Sequence, residues 1–98
     1  MQTYVVSRHP GALEWLKCHG HDVSGALFHL DEIRLTPGDV VIGTLPVHLA
    51  AEVIRQGARY LHICMQLPAS ARGRELGFAE MTAYGAELKE YHVEMKHA

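Results

Sequence analysis

The chain is short of several things, and each shortage narrows what it can be. It has two cysteines, Cys18 and Cys64, in 98 residues, too few for a disulfide framework. No apolar run approaches the roughly 20 residues of a membrane span. The N-terminus lacks a basic segment leading into an apolar core, so a soluble cytoplasmic protein with no membrane partner is expected. Positive charge is not in excess: 9 Lys+Arg stand against 11 Asp+Glu, a net charge of −2 with 8 His neutral. Proteins that coat DNA or RNA carry the opposite balance. That argues against a DNA partner and leaves room for a small anionic ligand in a local pocket. With no repeat, low-complexity tract or linker, the length predicts one domain over residues 1–98.

What is present is an ordinary globular composition, 48% hydrophobic and 20% charged. A domain of about 100 residues buries about two-thirds of its unfolded surface, so it folds alone but gains from a partner subunit. Cys18-His19-Gly20-His21 offers three metal ligands on paper. Ligands so crowded rarely complete a tetrahedral site, and the segment reads as the polar end of a helix and its loop. Cys64 lies in an apolar run and reads as a small core hydrophobe. Neither a metal nor a cofactor is expected.

The pattern alternates strands with helices. Thr3 to Ser7 is a β-branched run that stops at Arg8-His9-Pro10-Gly11. Pro10 suits the first turn of a helix, whose apolar stripe runs from Ala12 to Cys18, with Gly20 as its C-cap. Ala26 to Leu30 reads as a second strand, Leu35 to Asp39 as a Pro-Gly turn, and Val40 to Gly43 as a central strand. Thr44 is the expected N-cap of a helix that ends at Gly57, with Pro46 in its first turn. Arg59 to Met65 is a further strand, followed by a long loop. Phe78 to Glu90 reads as a helix, with Phe78, Met81, Tyr84-Gly85 and Leu88 inward, and Tyr91 to Met95 as a closing edge strand. The fold class is therefore α/β, with a parallel or mixed sheet flanked by helices.

In such sheets ligands bind beyond the C-terminal strand ends. That rule selects Ser7 to Gly11, Gly43 to His48 and Gln66 to Glu75. The first places a hydroxyl, a guanidinium and an imidazole at one strand end: Arg8 can grip phosphate by two parallel hydrogen bonds, and His9 can move a proton near neutral pH. Amides near Gly11 add anion affinity. In the second, Gly43 permits close backbone approach and Thr44 lies among free amides, although the segment lacks the ending of a P-loop. His48 either faces the pocket or caps a neighbour. In the third, Arg72 and Arg74 flank Gly73 and suit a clamp on phosphates, unless Arg74 is merely taken up by Glu75. Asp31, Glu32 and Glu80 show no paired-carboxylate spacing and read as surface charges. A phosphorylated small molecule is the expected occupant. Metal-free phosphodiester cleavage is possible if a ribose 2′-hydroxyl is the nucleophile, with Arg8 stabilising charge and His9 transferring a proton.

Three stretches carry a resemblance: Tyr4 to Trp15, Pro37 to Pro46, and Leu67-Pro68-Ala69 to Arg72-Gly73-Arg74-Glu75-Leu76. They resemble a small family of type III CRISPR-associated proteins, Csx-sixteen, over nearly the whole chain. The resemblance implies a single Rossmann-like (CARF-like) domain with a mostly parallel sheet. It implies a homodimer with its ligand at the subunit junction, and a ring nuclease that degrades cyclic tetra-adenylate to switch off the antiviral response. A ring of approximate internal symmetry suits a two-fold dimer, in which Arg8, Arg72 and Arg74 from two chains would supply six cations for four phosphates. Cleavage would leave linear di-adenylate with a 2′,3′-cyclic phosphate. From placement and chemistry, Ser7, Arg8 and His9 are the catalytic candidates, with Gly11, Gly43, Thr44, His48, Arg72 and Arg74 as ligand-binding candidates. A sensor or sponge that binds without cutting is the alternative, though a sensor usually carries a fused effector domain for which this length has no space. Arg8-His9 also invites comparison with the Arg-His-Gly turn of histidine phosphatases, but Pro10 stands where that turn has glycine.

Overall fold

The computed structural model describes residues 2–7, 9–27 and 34–96. Its strands are β1 (Thr3–Val6), β2 (Gly25–Leu27), β3 (Val40–Gly43), β4 (Arg59–Cys64) and β5 (Glu87–Tyr91). Among the described residues the α-helices between them are α1 (Ala12–Cys18), α2 (Val47–Arg55) and α3 (Phe78–Ala83), with a short 3-10 turn at Ala69–Ala71. The sheet order is β2-β1-β3-β4-β5, with β1 to β4 mutually parallel and β5 antiparallel to β4. The expected mostly parallel α/β sheet is present.

Both faces of this sheet are covered, which explains why its inner strands read as continuous apolar runs. Val5, Ile42 and Ile63 bury one face against Ala12, Trp15 and Leu16 of α1 and Met81 of α3. Val6, Val41 and Tyr60 bury the other against Ala50 and Val53 of α2. Successive residues of a strand point to opposite faces, so each inner strand contributes to both cores. Leu16 and Val53 are fully buried; truncating Leu16 to Ala would cost about 2–5 kcal/mol.

After β1 the chain runs outward to β2, then passes back to β3 on the other side of β1. A crevice opens at the C-terminal strand ends where the winding reverses in this way. Register sharpens its position. Val6 pairs with Gly43, and Gly43 with His62, so the ends of β1, β3 and β4 form one row.

Several boundaries differ from the sequence reading. Pro10 lies in the turn before α1, and Gly11 is the N-cap. The cap of α2 is Pro46, not Thr44, because the extended Pro46 backbone (ψ 151°) still precedes the first helical residue. The expected helix from Phe78 to Glu90 stops at Ala83. Gly85 takes φ +70°, and the Ala86 N–H donates to the Met81 carbonyl at 3.0 Å, a left-handed glycine stop. The chain then enters β5, in register with β4 from Cys64↔Glu87 to Tyr60↔Tyr91. The closing strand is thus residues 87–91 rather than 91–95. The second strand begins at Gly25, and the rest of its expected span, Phe28 to Leu30, lies outside the described residues, as do Asp31 and Glu32. Among the described residues no helix is long and apolar enough to cross a membrane.

Candidate functional site

The turn after β1 is built by its own polar groups. Ser7 Oγ accepts the His9 backbone N–H at 3.1 Å. His9 Nδ1 accepts the Leu76 N–H at 3.0 Å, and the Gly11 N–H donates to the Leu76 carbonyl, also at 3.0 Å. These bonds clamp the β1 turn to the segment before α3. Gly11 makes the approach possible, since a Cβ there would overlap the backbone of Gly77 and Phe78. Gly43 plays a similar part beside β1, where a Cβ would overlap the Val6 carbonyl.

The end of β4 carries a second polar cluster. Tyr60 and His62 share the α2 face of the strand. The Tyr60 hydroxyl lies 2.8 Å from the Leu45 N–H, 3.2 Å from the Gly43 carbonyl and 2.7 Å from His62 Nδ1. Burial raises the Tyr60 phenol above its ordinary pKa, with the Leu45 N–H pulling the other way. Burial also holds the His62 imidazole below the usual histidine value, favouring its neutral form. Tyr91 meets His62 edge-on at a centroid distance of 6.1 Å.

Between these clusters lies an open cleft of about 1180 Å³. Ser7 and His9 line it from the β1 turn, Thr44, Leu45 and Pro46 from the β3 turn, and His62 and Cys64 from β4. Gly73, Arg74 and Glu75 border it from the long loop, and Tyr91 from β5. Arg74 is 2.7 Å from Glu80 rather than paired with Glu75. Among the described residues the arrangement can present hydrogen-bond donors, the His9 and His62 imidazoles, the Arg74 cation and an aromatic face to an anionic, base-bearing ligand.

A family model matches residues 4–94, that of a family described as "Putative CRISPR-associated protein (Cas_VVA1548)". The chain belongs to this CRISPR-associated family. The curated proteins and the solved structures gave no match. The matched span contains every residue that lines the cleft, from Val6 to Tyr91.

Of the residues singled out in the sequence, Ser7, His9, Thr44 and Arg74 come together in this cleft, with Gly43 in the row of strand ends that backs it. Gly11, His48 and Arg72 are not among the lining residues: Gly11 is buried in the α1–α3 contact, and His48 and Arg72 are exposed. Arg8 lies outside the described residues. Cys64 is a correction, since it is half-buried and lines the cleft instead of filling the core. Cys18-His19-Gly20-His21 is the helix end it was expected to be. His19 Nδ1 lies 2.8 Å from the Trp15 carbonyl and its ring stacks on Trp15 at 4.2 Å. Among the described residues no three His, Cys, Asp or Glu side chains gather as metal ligands.

Sequence reasoning missed Tyr60, His62 and Tyr91. Its rule looked past strand ends into loops, whereas His62 is still inside β4. A usable signal was there: an imidazole two residues after a tyrosine, on one face of an otherwise apolar inner strand.

Proposed function

We propose that this protein is a ring nuclease that binds cyclic tetra-adenylate and opens it to linear di-adenylate with a 2′,3′-cyclic phosphate, ending a type III CRISPR signal. The observation that carries this reading is the cleft itself. It sits where the strand winding reverses and combines Ser7, His9, Thr44, His62 and Arg74 with the Tyr91 ring. Membership of a CRISPR-associated family supports the setting, and the Csx-sixteen resemblance supplies the substrate.

The chemistry is set by what phosphodiester cleavage needs. The 2′-hydroxyl attacks phosphorus, the O2′–P bond forms and the P–O5′ bond breaks. The protein must hold the 2′-oxygen in line and stabilise charge on the phosphate. Arg8, Arg74 and the β3-turn amides are assigned to phosphate, and Tyr91 to an adenine face, since every base offers a ring to stack. Ser7 and His9 stand at the reacting phosphate. A homodimer with the ring at its junction would present these groups twice to a symmetric ligand. The fold assigned to this role is a Rossmann-like, CARF-like domain.

A second reading, a binder that sequesters the ring without cutting it, is favoured by one observation. His9 Nδ1 already accepts the Leu76 N–H, so its lone pair is not free to take a proton, and Ser7 Oγ is held to the turn by the His9 N–H. Incubation of purified protein with cyclic tetra-adenylate in EDTA, resolved by chromatography and mass, separates the two. Linear di-adenylate with a cyclic phosphate end is expected. An intact ring that comigrates with the protein would replace the nuclease by the binder, and loss of activity restored by Mg²⁺ or Mn²⁺ would overturn the metal-free chemistry.

A further inference from the structure

A nuclease of this kind needs a group that accepts the 2′-hydroxyl proton, and the bonds of the two cleft imidazoles show which one is built for it. His9 Nδ1 faces a backbone N–H, that of Leu76 at 3.0 Å. A nitrogen that accepts cannot carry the proton, so neutral His9 holds its proton on Nε2 and presents a donor.

His62 Nδ1 faces a hydroxyl instead, which can donate or accept. Among the described residues the Tyr60 hydroxyl, with its one proton, has three polar neighbours: a donor (Leu45 N–H), an acceptor (the Gly43 carbonyl) and His62 Nδ1. Only one assignment makes all three contacts hydrogen bonds. Leu45 N–H and His62 Nδ1–H both donate to the phenol oxygen, and the phenol proton goes to Gly43. The other assignment sets phenol and carbonyl lone pairs against each other at 3.2 Å. In that assignment neutral His62 carries its proton on Nδ1, and its Nε2 has a lone pair with no hydrogen-bond partner among the described residues.

We infer that His62 is the general base of the cleavage, its Nε2 taking the 2′-hydroxyl proton, while His9 in the opposite tautomer donates its Nε2–H to the phosphate. This rests on the ring-nuclease reading and names its missing proton acceptor. The balance closes with water. The proton moves from O2′ to His62 Nε2, O2′–P forms as P–O5′ breaks, the 5′ oxygen takes a proton from solvent, and His62 returns its own to solvent. Protonation at Nε2 leaves the Nδ1–H···Tyr60 bond intact, so the base can cycle without repacking. Burial, which keeps His62 neutral, acts in the same direction.

The titratable groups around His62 are Tyr60 and Cys64 on its own strand and Glu87, Lys89 and Tyr91 on β5. Lys89 lies directly opposite His62 in register and is 3.2 Å from Glu87. His9, Arg74 and Glu75 share the cleft. Because His9 is a second imidazole there, any acid limb must be assigned by variant. His62→Asn is the clean one: its amide N–H replaces Nδ1–H toward Tyr60, and nothing replaces Nε2.

Two measurements test the inference. Nitrogen-15 NMR of the histidine rings in the ligand-free protein, assigned by loss of signals in His9→Asn and His62→Asn, should find Nε2–H at His9 and Nδ1–H at His62. The same tautomer at both would overturn it without any substrate. Single-turnover cleavage of cyclic tetra-adenylate should then fall about 10²-fold or more in His62→Asn, with binding of the ring retained and the acid limb of the wild-type pH profile gone. Unimpaired cleavage by this variant overturns the base role alone. A wild-type chain that binds the ring and leaves it intact overturns the nuclease reading and the base role together.

Discussion

The two ends of the sheet use similar materials to opposite purposes. At the N-terminal end, beside the starts of β1 and β3, the buried Asp39 carboxylate is engaged at both oxygens. Its Oδ1 accepts the Gln2 N–H at 2.9 Å, and its Oδ2 accepts the Thr36 N–H at 2.9 Å and the Thr36 hydroxyl at 3.0 Å. At the C-terminal end, His9 and His62 are each engaged at Nδ1 while Nε2 has no partner among the described residues. A buried polar group engaged at both of its oxygens by the chain's own donors holds the chain together and offers little to a ligand. One that is tied down on one side and open on the other is both oriented and available.

The largest way to break this contrast is at His9. His9→Ala removes the open Nε2–H and also the acceptor for the buried Leu76 N–H. It should slow ring cleavage by about 10²-fold and cost about 1–3 kcal/mol of stability for the orphaned amide. His9→Asn keeps an acceptor near the Nδ1 position, so it should lose the rate and keep most of the stability. Kinetics and thermal melts of the two variants check both halves, and turnover unchanged in both would remove His9 from the mechanism.

Asp39 is the opposite case. Asp39→Ala leaves the Gln2 and Thr36 amides unpaired, and should lower the melting temperature by about 5 °C or more while activity per folded molecule stays at the wild-type level. A loss of rate without a loss of melting temperature would erase the distinction between the two ends.

Acid should separate them as well. Amide hydrogen bonds from Thr36 and then Gln2 hold Asp39 below its ordinary value of 3.8. The stability it contributes is complete above that pH and is lost as pH falls through the lower folded value. His62 is held below 6.5 by burial, so the folded state takes up its proton later than the unfolded one. Its contribution is complete above 6.5 and is lost as pH drops from there to the folded value. Denaturant unfolding from pH 7.5 to 4.5 should show the stability difference between wild type and His62→Asn shrinking across that window. The difference between wild type and Asp39→Ala should hold steady until below pH 4.

How much of this was legible beforehand depends on how local each signal is. Val40-Val41-Ile42-Gly43 announces a strand buried on both faces, and the Pro37-Gly38-Asp39 turn before it rests on the conformational needs of two adjacent residues, with Gly38 at φ +90°. Ser7 and His9 could be found because strand-end placement is itself a rule. Glu87 to Tyr91 misled, because a short edge strand that pairs on one side keeps most of its residues in solvent and has no apolar alternation to declare it. Its identity depends on β4, some 25 residues away in sequence. The tautomers of His9 and His62 are more remote still, set by Leu76 and by a tyrosine hydroxyl whose other partners belong to the β3 turn. No spacing rule reaches a contact of that kind.

The smallest expected effect concerns Arg74, which belongs to neither pattern. It lines the open end yet is paired with Glu80 at 2.7 Å, both side chains partly exposed. An exposed pair of this kind is worth about 0.2–1 kcal/mol, so it restrains the guanidinium without locking it. Glu80→Gln removes the charge but keeps a carbonyl oxygen in reach of the Gly77 N–H that Glu80 meets at the start of α3, at 3.4 Å. If Arg74 is a phosphate ligand held in reserve, this change should tighten binding of cyclic tetra-adenylate by about two- to fivefold, with the gain shrinking as salt is raised. Arg74→Ala should weaken binding, and Arg72→Ala, outside the cleft, should do so less. Equal losses at the two arginines would mean that the loop attracts the ring by charge alone. A larger loss at Arg74 would mean that its place in the cleft, and not the charge of the loop, carries the contact.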